Sequence, residues 1–202
     1  MDPPSPKRVV RAQVRAALRG VPARRWVEDS RRLVGNLLRE PRLAGARTIM
    51  AFAPMPDEAD IMAALRTWLD QGARICLPRI DWEALTISPV ALQVLAPPEL
   101  IETTQGIREP AQQCQVVGVD EVEVVLVPGL AFSREPTAPG AGGFARLGKG
   151  KGFYDRFLAQ RSLRALTLGI AMSEQVVQDV PMEPWDVPVA GLATPDGVRW
   201  AR

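Results

Sequence analysis

The stretch Val-Glu-Val-Val-Leu-Val-Pro-Gly at 122–129 restricts the fold more than any other part of this chain. Its β-branched residues favour extended backbone, and Val124 to Val127 present no polar side. A strand of that kind has to be covered on both faces, as the inner strands of a helix-flanked parallel sheet are. The neighbouring segments repeat the pattern. TIMAFA at 48–53, ARICLP at 73–78 and ALTLGIA at 165–171 read as further strands, and LTISPV at 85–90 as another candidate.

Helical patterns alternate with these runs. Ser5 and Pro6 form a cap and first-position pair that opens a helix from about Lys7 to Leu18, which Gly20 can end. Trp26, Leu33 and Leu37 recur at helical spacing, and a third helix over 61–71 carries Ile61, Leu65, Trp68 and Leu69 with Gly72 as its stop. Strands interleaved with helices imply an α/β fold with a largely parallel sheet, and 202 residues suit a single domain over the whole length.

Composition removes several function classes. The chain has no histidine, so histidine bases, Ser-His-Asp and Cys-His nucleophiles and His-rich zinc sites are excluded. A net charge of +2 gives no bulk reason to expect nucleic acid or a membrane surface as a partner. No signal peptide is visible and no run reaches the ~18 apolar residues of a membrane span, so a cytoplasmic location is expected. Cys76 and Cys114 lack metal-ligand spacing and read as packing thiols.

Charge is instead concentrated in RLGKGKGFYDRFL, 146–158. Glycines at alternate positions let backbone N–H groups approach phosphate oxygens, the following helix start adds partial positive charge, and Arg146, Lys149 and Lys151 add full charges. A P-loop is ruled out because Gly150 stands where a magnesium-binding Ser or Thr is needed, and a dinucleotide fingerprint because residue 153 is Phe. A solvated basic turn is the plain alternative, but a position beyond the carboxyl end of a buried parallel strand favours a phosphate ligand. Asp155 can neutralise a helix start or hold magnesium, Lys7 and Arg11 share a helix face that can meet an anion or solvent, and Asp57, Glu58 and Asp60 can cap a helix or touch a substrate. Asp186 fits an ordinary turn. Residues 133–145, rich in small residues and proline, read as a flexible loop or lid.

LVPGLAF followed by RLGKGKGFYDRFL resembles the 5-formyltetrahydrofolate cyclo-ligase family, also called methenyltetrahydrofolate synthetase. KRVVR, APMPDE, ARICLPRI, GIREP and SEQVVQDVPMEPWD extend the resemblance over most of the chain. It implies a three-layer α/β/α sandwich similar to ribose-phosphate isomerase-like folds. It also implies that ATP is held by Lys7, Arg11, Arg146, Leu147, Gly148, Lys149, Gly150, Lys151, Gly152, Phe153 and Tyr154. Asp155 and Asp186 would bind magnesium, and Ala53, Glu58 and residues 149–153 would contact a reduced folate. Phe153 replaces a usual Tyr, Ser133 a usual Asp, Gln105 a common Trp and Ala190 a frequent Asp.

The implied reaction is ATP-dependent cyclisation of 5-formyltetrahydrofolate by a monomer, with Arg146, Lys149 and Lys151 stabilising the phosphoryl charge. A non-catalytic nucleotide- or folate-binding module and a sugar-phosphate isomerase relative are the alternatives. Two carboxylates sharing one metal would repel each other without it, so replacing Asp155 or Asp186 is expected to leave thermal stability unchanged or raise it.

Overall fold

A computed structural model describes residues 5–103, 106–136 and 142–201; Gln105 and residues 137–141 of the expected lid lie outside it. The chain opens with two helices, α1 (Pro6–Arg19) and α2 (Ala23–Arg39), and Ser5 and Pro6 take their expected cap and first-turn positions. Strand β1 (Thr48–Met50) then leads through α3 (Met62–Asp70) to β2 (Arg74–Asp81) and β3 (Thr86–Leu92). A short hairpin follows, β4 (Leu100–Glu102) with β5 (Arg108–Pro110). The second half comprises β6 (Val124–Pro128), β7 (Ala131–Pro136), β8 (Phe144–Leu147), α4 (Phe153–Leu158), β9 (Leu166–Ile170), β10 (Val176–Val177), β11 (Gly191–Thr194) and β12 (Gly197–Trp200).

The main sheet has seven strands in the order β12-β11-β9-β6-β1-β2-β3. Its inner strands are parallel, and β12 and β3 close the edges antiparallel. The double burial expected of β6 is realised: Val124 and Leu126 join the core under α1, α2 and α3, while Val125 and Val127 join a second cluster on the opposite face. The two faces are covered unequally. Leu33 and Leu37 of α2 and Leu65 and Trp68 of α3 pack on the first. The second is filled largely by Phe132, Phe144 and Phe157, and its helix α4 is only 6 residues long.

Two boundaries differ from expectation. The run 48–53 leaves the ladder after Met50, although residues 51–53 stay buried and Ala51 N still donates to Cys76 O (2.8 Å), because the chain turns there toward Pro54. Residues 133–136 and 144–145 are not loop but strand: β7 and β8 pair antiparallel, and β10 joins β7 to complete a small three-stranded sheet. Ser133 helps lock this hairpin, accepting from Ala145 N (2.9 Å) and donating to Glu135 O (2.7 Å). The small and proline-rich letters concealed Phe132 and Phe144, the buried anchors of the two strands. Gly72, at φ +91°, turns α3 into β2 in a conformation that favours glycine.

Cys76 on β2 is fully buried, and that burial pushes its thiol up to about 12, with Arg74 opposing and Glu121 adding to the shift. Cys114 is only partly buried. The thiolate is the reactive form. A thiol-specific disulfide reagent at mildly alkaline pH should therefore modify Cys114 in the native protein and spare Cys76 until denaturant is added, which mass spectrometry of the labelled peptides will show.

Candidate active site

The strand order changes direction between β1 and β6: the chain proceeds from β1 to β2 on one side and from β6 through β9 to β11 on the other. A crevice beyond the carboxyl ends of the strands is the usual ligand position at such a point. A cavity of about 270 Å³ lies there, with Ala53 after β1, Ile80 of β2, and Pro128 and Gly129 at the end of β6 in its wall. Gly148, Lys149, Lys151, Gly152, Phe153, Tyr154 and Asp155 line the same cavity, as do Glu58 and Arg146.

The glycine loop is shaped by positive φ at Gly150 (+119°) and Gly152 (+70°), the latter immediately before α4. With so short a helix behind it, the loop owes its positive field mainly to side chains and loop amides. Lys149 Nζ sits 2.8 Å from Asp57 and 3.1 Å from Glu58. Burial works against its charge, but Glu58 and Asp57 outweigh it and hold its pKa above the ordinary 10.5. The second oxygen of Glu58 accepts from Met55 N (3.0 Å), so this carboxylate is fixed between its own loop and the glycine loop. Lys151 is exposed, and its ammonium has no ion pair among the described residues.

Arg146 differs from the loop cations. It lies in β8, only 4% exposed, with Nη2 2.7 Å from Asp155 Oδ1. Its Nε is buried without a partner, as is the hydroxyl of Tyr154, whose ring lies 5.8 Å from the guanidinium. Burial, reinforced by Glu58 and opposed by Arg146, pushes the Tyr154 phenol upward, so it is a neutral donor at ordinary pH. Each buried unsatisfied polar atom costs about 1–3 kcal/mol. Both residues line the cavity, where a polar ligand could satisfy them.

Helix α1 is strapped to this region. Arg11 Nε donates to Gly148 O (3.0 Å), and Lys7 Nζ bridges Asp186 (2.5 Å) and Glu183 (2.6 Å). Those pairs raise the Lys7 pKa against the opposing effect of burial. Asp186 Oδ2 also accepts from Glu183 N (2.6 Å), and Asp155 Oδ1 from Val187 N (3.3 Å), which brings the two expected metal ligands into one neighbourhood. Asp155 Oδ2 and Asp186 Oδ1 stay outside these bonds. No group of three or more Cys, Asp or Glu suited to a metal occurs among the described residues. Two free carboxylate oxygens still suit magnesium, which takes one or two carboxylates beside phosphate and water.

Leu147 contributes only indirectly: its side chain is 2% exposed in the core and its carbonyl accepts from Leu130 N (2.7 Å). Sequence reasoning missed Trp82 and Arg108. Trp82, 42% exposed, meets Phe153 edge-on at 5.4 Å between ring centroids, and Arg108, which also lines the cavity, donates to Pro54 O (2.9 Å). An aromatic flanked by acids in IDWEAL was the available signal for Trp82.

A model of the 5-formyltetrahydrofolate cyclo-ligase family matches residues 4–195. The chain belongs to that family. A 5-formyltetrahydrofolate cyclo-ligase of Mycolicibacterium smegmatis is 34% identical over 154 residues, 74% of each chain. The mouse 5-formyltetrahydrofolate cyclo-ligase is 23% identical, covering 92% of this chain and 91% of the relative. The solved 5,10-methenyltetrahydrofolate synthetase of Aquifex aeolicus superposes with a TM-score of 0.79 at 28% identity, covering 97% of this chain and 93% of that one. Family membership thus agrees with the resemblance carried by the glycine-lysine motif.

Two consequences follow from the ion pairs. Asp155 neutralises a buried guanidinium, so Asp155→Ala should destabilise the ligand-free protein by on the order of 3 kcal/mol in denaturant unfolding, reversing the expectation of relieved repulsion. For Lys149, a raised folded-state pKa means that its stabilising contribution is complete below the unfolded value of 10.5 and is lost as pH rises through the folded value. The stability difference between wild type and Lys149→Met should therefore be the same at about pH 6 and about pH 9, and shrink only above about pH 10.5.

Proposed function

We propose that this protein closes 5-formyltetrahydrofolate to 5,10-methenyltetrahydrofolate at the expense of ATP, releasing ADP and phosphate. The observation that carries the proposal is the pair of buried, unpartnered donors, Arg146 Nε and Tyr154 Oη, in a cavity walled by a cationic glycine loop in a member of this family. Phosphoryl transfer requires positioning and charge stabilisation more than a proton-transfer base, so a chain without histidine can perform it.

In the proposed reaction the formyl oxygen attacks the γ-phosphorus and the bond to ADP breaks, which makes that oxygen part of a leaving group. The second folate nitrogen then adds to the formyl carbon and gives up its proton, and the carbon–oxygen bond breaks to release phosphate. Loop amides of 148–152, Lys149 and Lys151 would carry the developing phosphoryl charge, with Arg146 held rigid by Asp155. Lys7 and Arg11 would serve the nucleotide from α1, and magnesium on Asp155 and Asp186 would neutralise adjacent phosphates. Glu58 and Ala53 would contact the folate, whose ring can lie against Trp82 and Phe153; Trp82 would provide an aromatic wall in a chain with Gln at 105.

Action as a cytoplasmic monomer belongs to the same proposal; no helix among the described residues is long and apolar enough to cross a membrane. The finer fold relationship, to ribose-phosphate isomerase-like sandwiches, is supported by a parallel sheet core covered on both faces. A sugar-phosphate isomerase would need a carboxylate or lysine base but no ATP, and a non-catalytic module would bind without turnover.

The test is to follow methenyl absorbance and ADP with pure protein, magnesium and ATP, with and without 5-formyltetrahydrofolate. Methenyl product should form only with all components, and ADP in equal amount. Lys151→Ala should lose ~1.5–3 kcal/mol of ATP binding or transition-state stabilisation while melting like wild type, the scale of a hydrogen bond to a charged group. Binding of both ligands without product would identify the non-catalytic alternative.

A further inference from the structure

Charge is placed along α1 against the local rules of helix stability. Lys7, Arg11, Arg15 and Arg19 recur at every fourth position, Arg8 lies beside them, and the helix contains no acid. Like charges four residues apart disfavour a helix, and Lys7 and Arg8 stand in the first turn, where the helix end is already positive. Such breaches of local consistency mark places where function outweighs stability. They also make the molecule dipolar: the whole chain is only +2, so five cations on one helix leave the remainder net negative. On α2, by contrast, Arg24, Arg25 and Arg32 each have a carboxylate partner. Arg8, Arg15 and Arg19 are exposed and have none among the described residues.

The row starts at the site, where Arg11 holds Gly148 O and Lys7 reaches Asp186 and Glu183. The site's own cations are already countered: Lys7 by those two acids, Arg146 by Asp155, and Lys149 by Asp57 and Glu58. Three cations thus face five carboxylates, and these pairs present no positive field to a distant anion. Resting on the function proposed above, we infer that Arg8, Arg15 and Arg19 steer the nucleoside triphosphate toward the glycine loop, raising its association rate without touching it once bound. Arg8 and Arg15 each lie one turn from Arg11, about 5–6 Å between Cβ atoms, and Arg19 lies about 12 Å along the axis from Arg11. Those separations fall inside the Debye length of about 30 Å at 0.01 M salt and outside that of about 3 Å at 1 M. Charge acting over such a range changes on-rates, by about tenfold or more in strong cases, and leaves dissociation to the direct contacts.

The probe is ATP carrying a fluorescent ribose tag, mixed with magnesium and protein in a stopped-flow cell at about 0.01 M and about 1 M salt. Arg8→Gln, Arg15→Gln and Arg19→Gln combined should slow association by about fivefold at low salt and by nothing measurable at high salt. The dissociation rate, and kcat for methenyl formation at saturating ATP, should match wild type. The melting temperature should stay the same or rise, because like-charge repulsion along α1 is relieved. Lys at the same three positions keeps the charge but not the forked guanidinium, and should associate at the wild-type rate. Equal association rates for wild type and the Gln variant at low salt would overturn the inference. So would a loss that persists at 1 M salt or in the Lys variant, since that requires direct contact. A wild type that binds the tagged nucleotide but forms no methenyl product would overturn the proposed reaction and leave steering to be read from the same rates; one that binds no nucleotide would overturn both.

Discussion

The contact on which the site depends is the ion pair between Arg146 and Asp155. A guanidinium in a strand 4% exposed would be prohibitively costly without a countercharge, and Asp155 supplies it from the first turn of the next helix. Because β8 and α4 are joined only by 148–152, the pair also closes the glycine loop into a fixed arc. The same carboxylate accepts from Val187 N, so the segment leading into β11 is held against that arc. One buried charge pair thereby aligns a strand, a helix, a loop and a distant turn around the cavity.

Lys149 and Arg11 then fix the loop to the other parts of the fold. Lys149 reaches across to Asp57 and Glu58 beyond β1, joining the cationic wall to the acidic one. Arg11 holds Gly148 from α1, on the nucleotide side proposed for this site. An anionic ligand at the loop would compete with the carboxylates for Lys149 and leave Glu58 with more hydrogen-bonding capacity for a second ligand.

Much of the architecture was readable from contiguous letters. The apolar run of β6, the strands of ARICLP and ALTLGIA, the helix start at Ser5 and Pro6 and the stop at Gly72 are local patterns that recur in the folded chain. The β7–β8 hairpin was not legible, since of its anchors Phe132 precedes and Phe144 lies inside a stretch, 133–145, whose small residues and prolines read as loop. Within the site, the glycine-lysine motif identified the cationic wall, but neither Trp82 nor Arg108 carried a local signal strong enough to assign it there.

From the sequence alone came the α/β class, the exclusion of histidine chemistry and the glycine-rich, cationic make-up of 148–152, because backbone periodicity, residue inventory and glycine freedom are properties of short stretches. Only tertiary structure could show that Arg146 is a buried, Asp155-neutralised charge rather than a loop cation, and that Glu58 faces Lys149. Burial and ion pairing depend on which distant segments the sheet order brings together, and that proximity is a sum over the whole fold that no local stretch encodes.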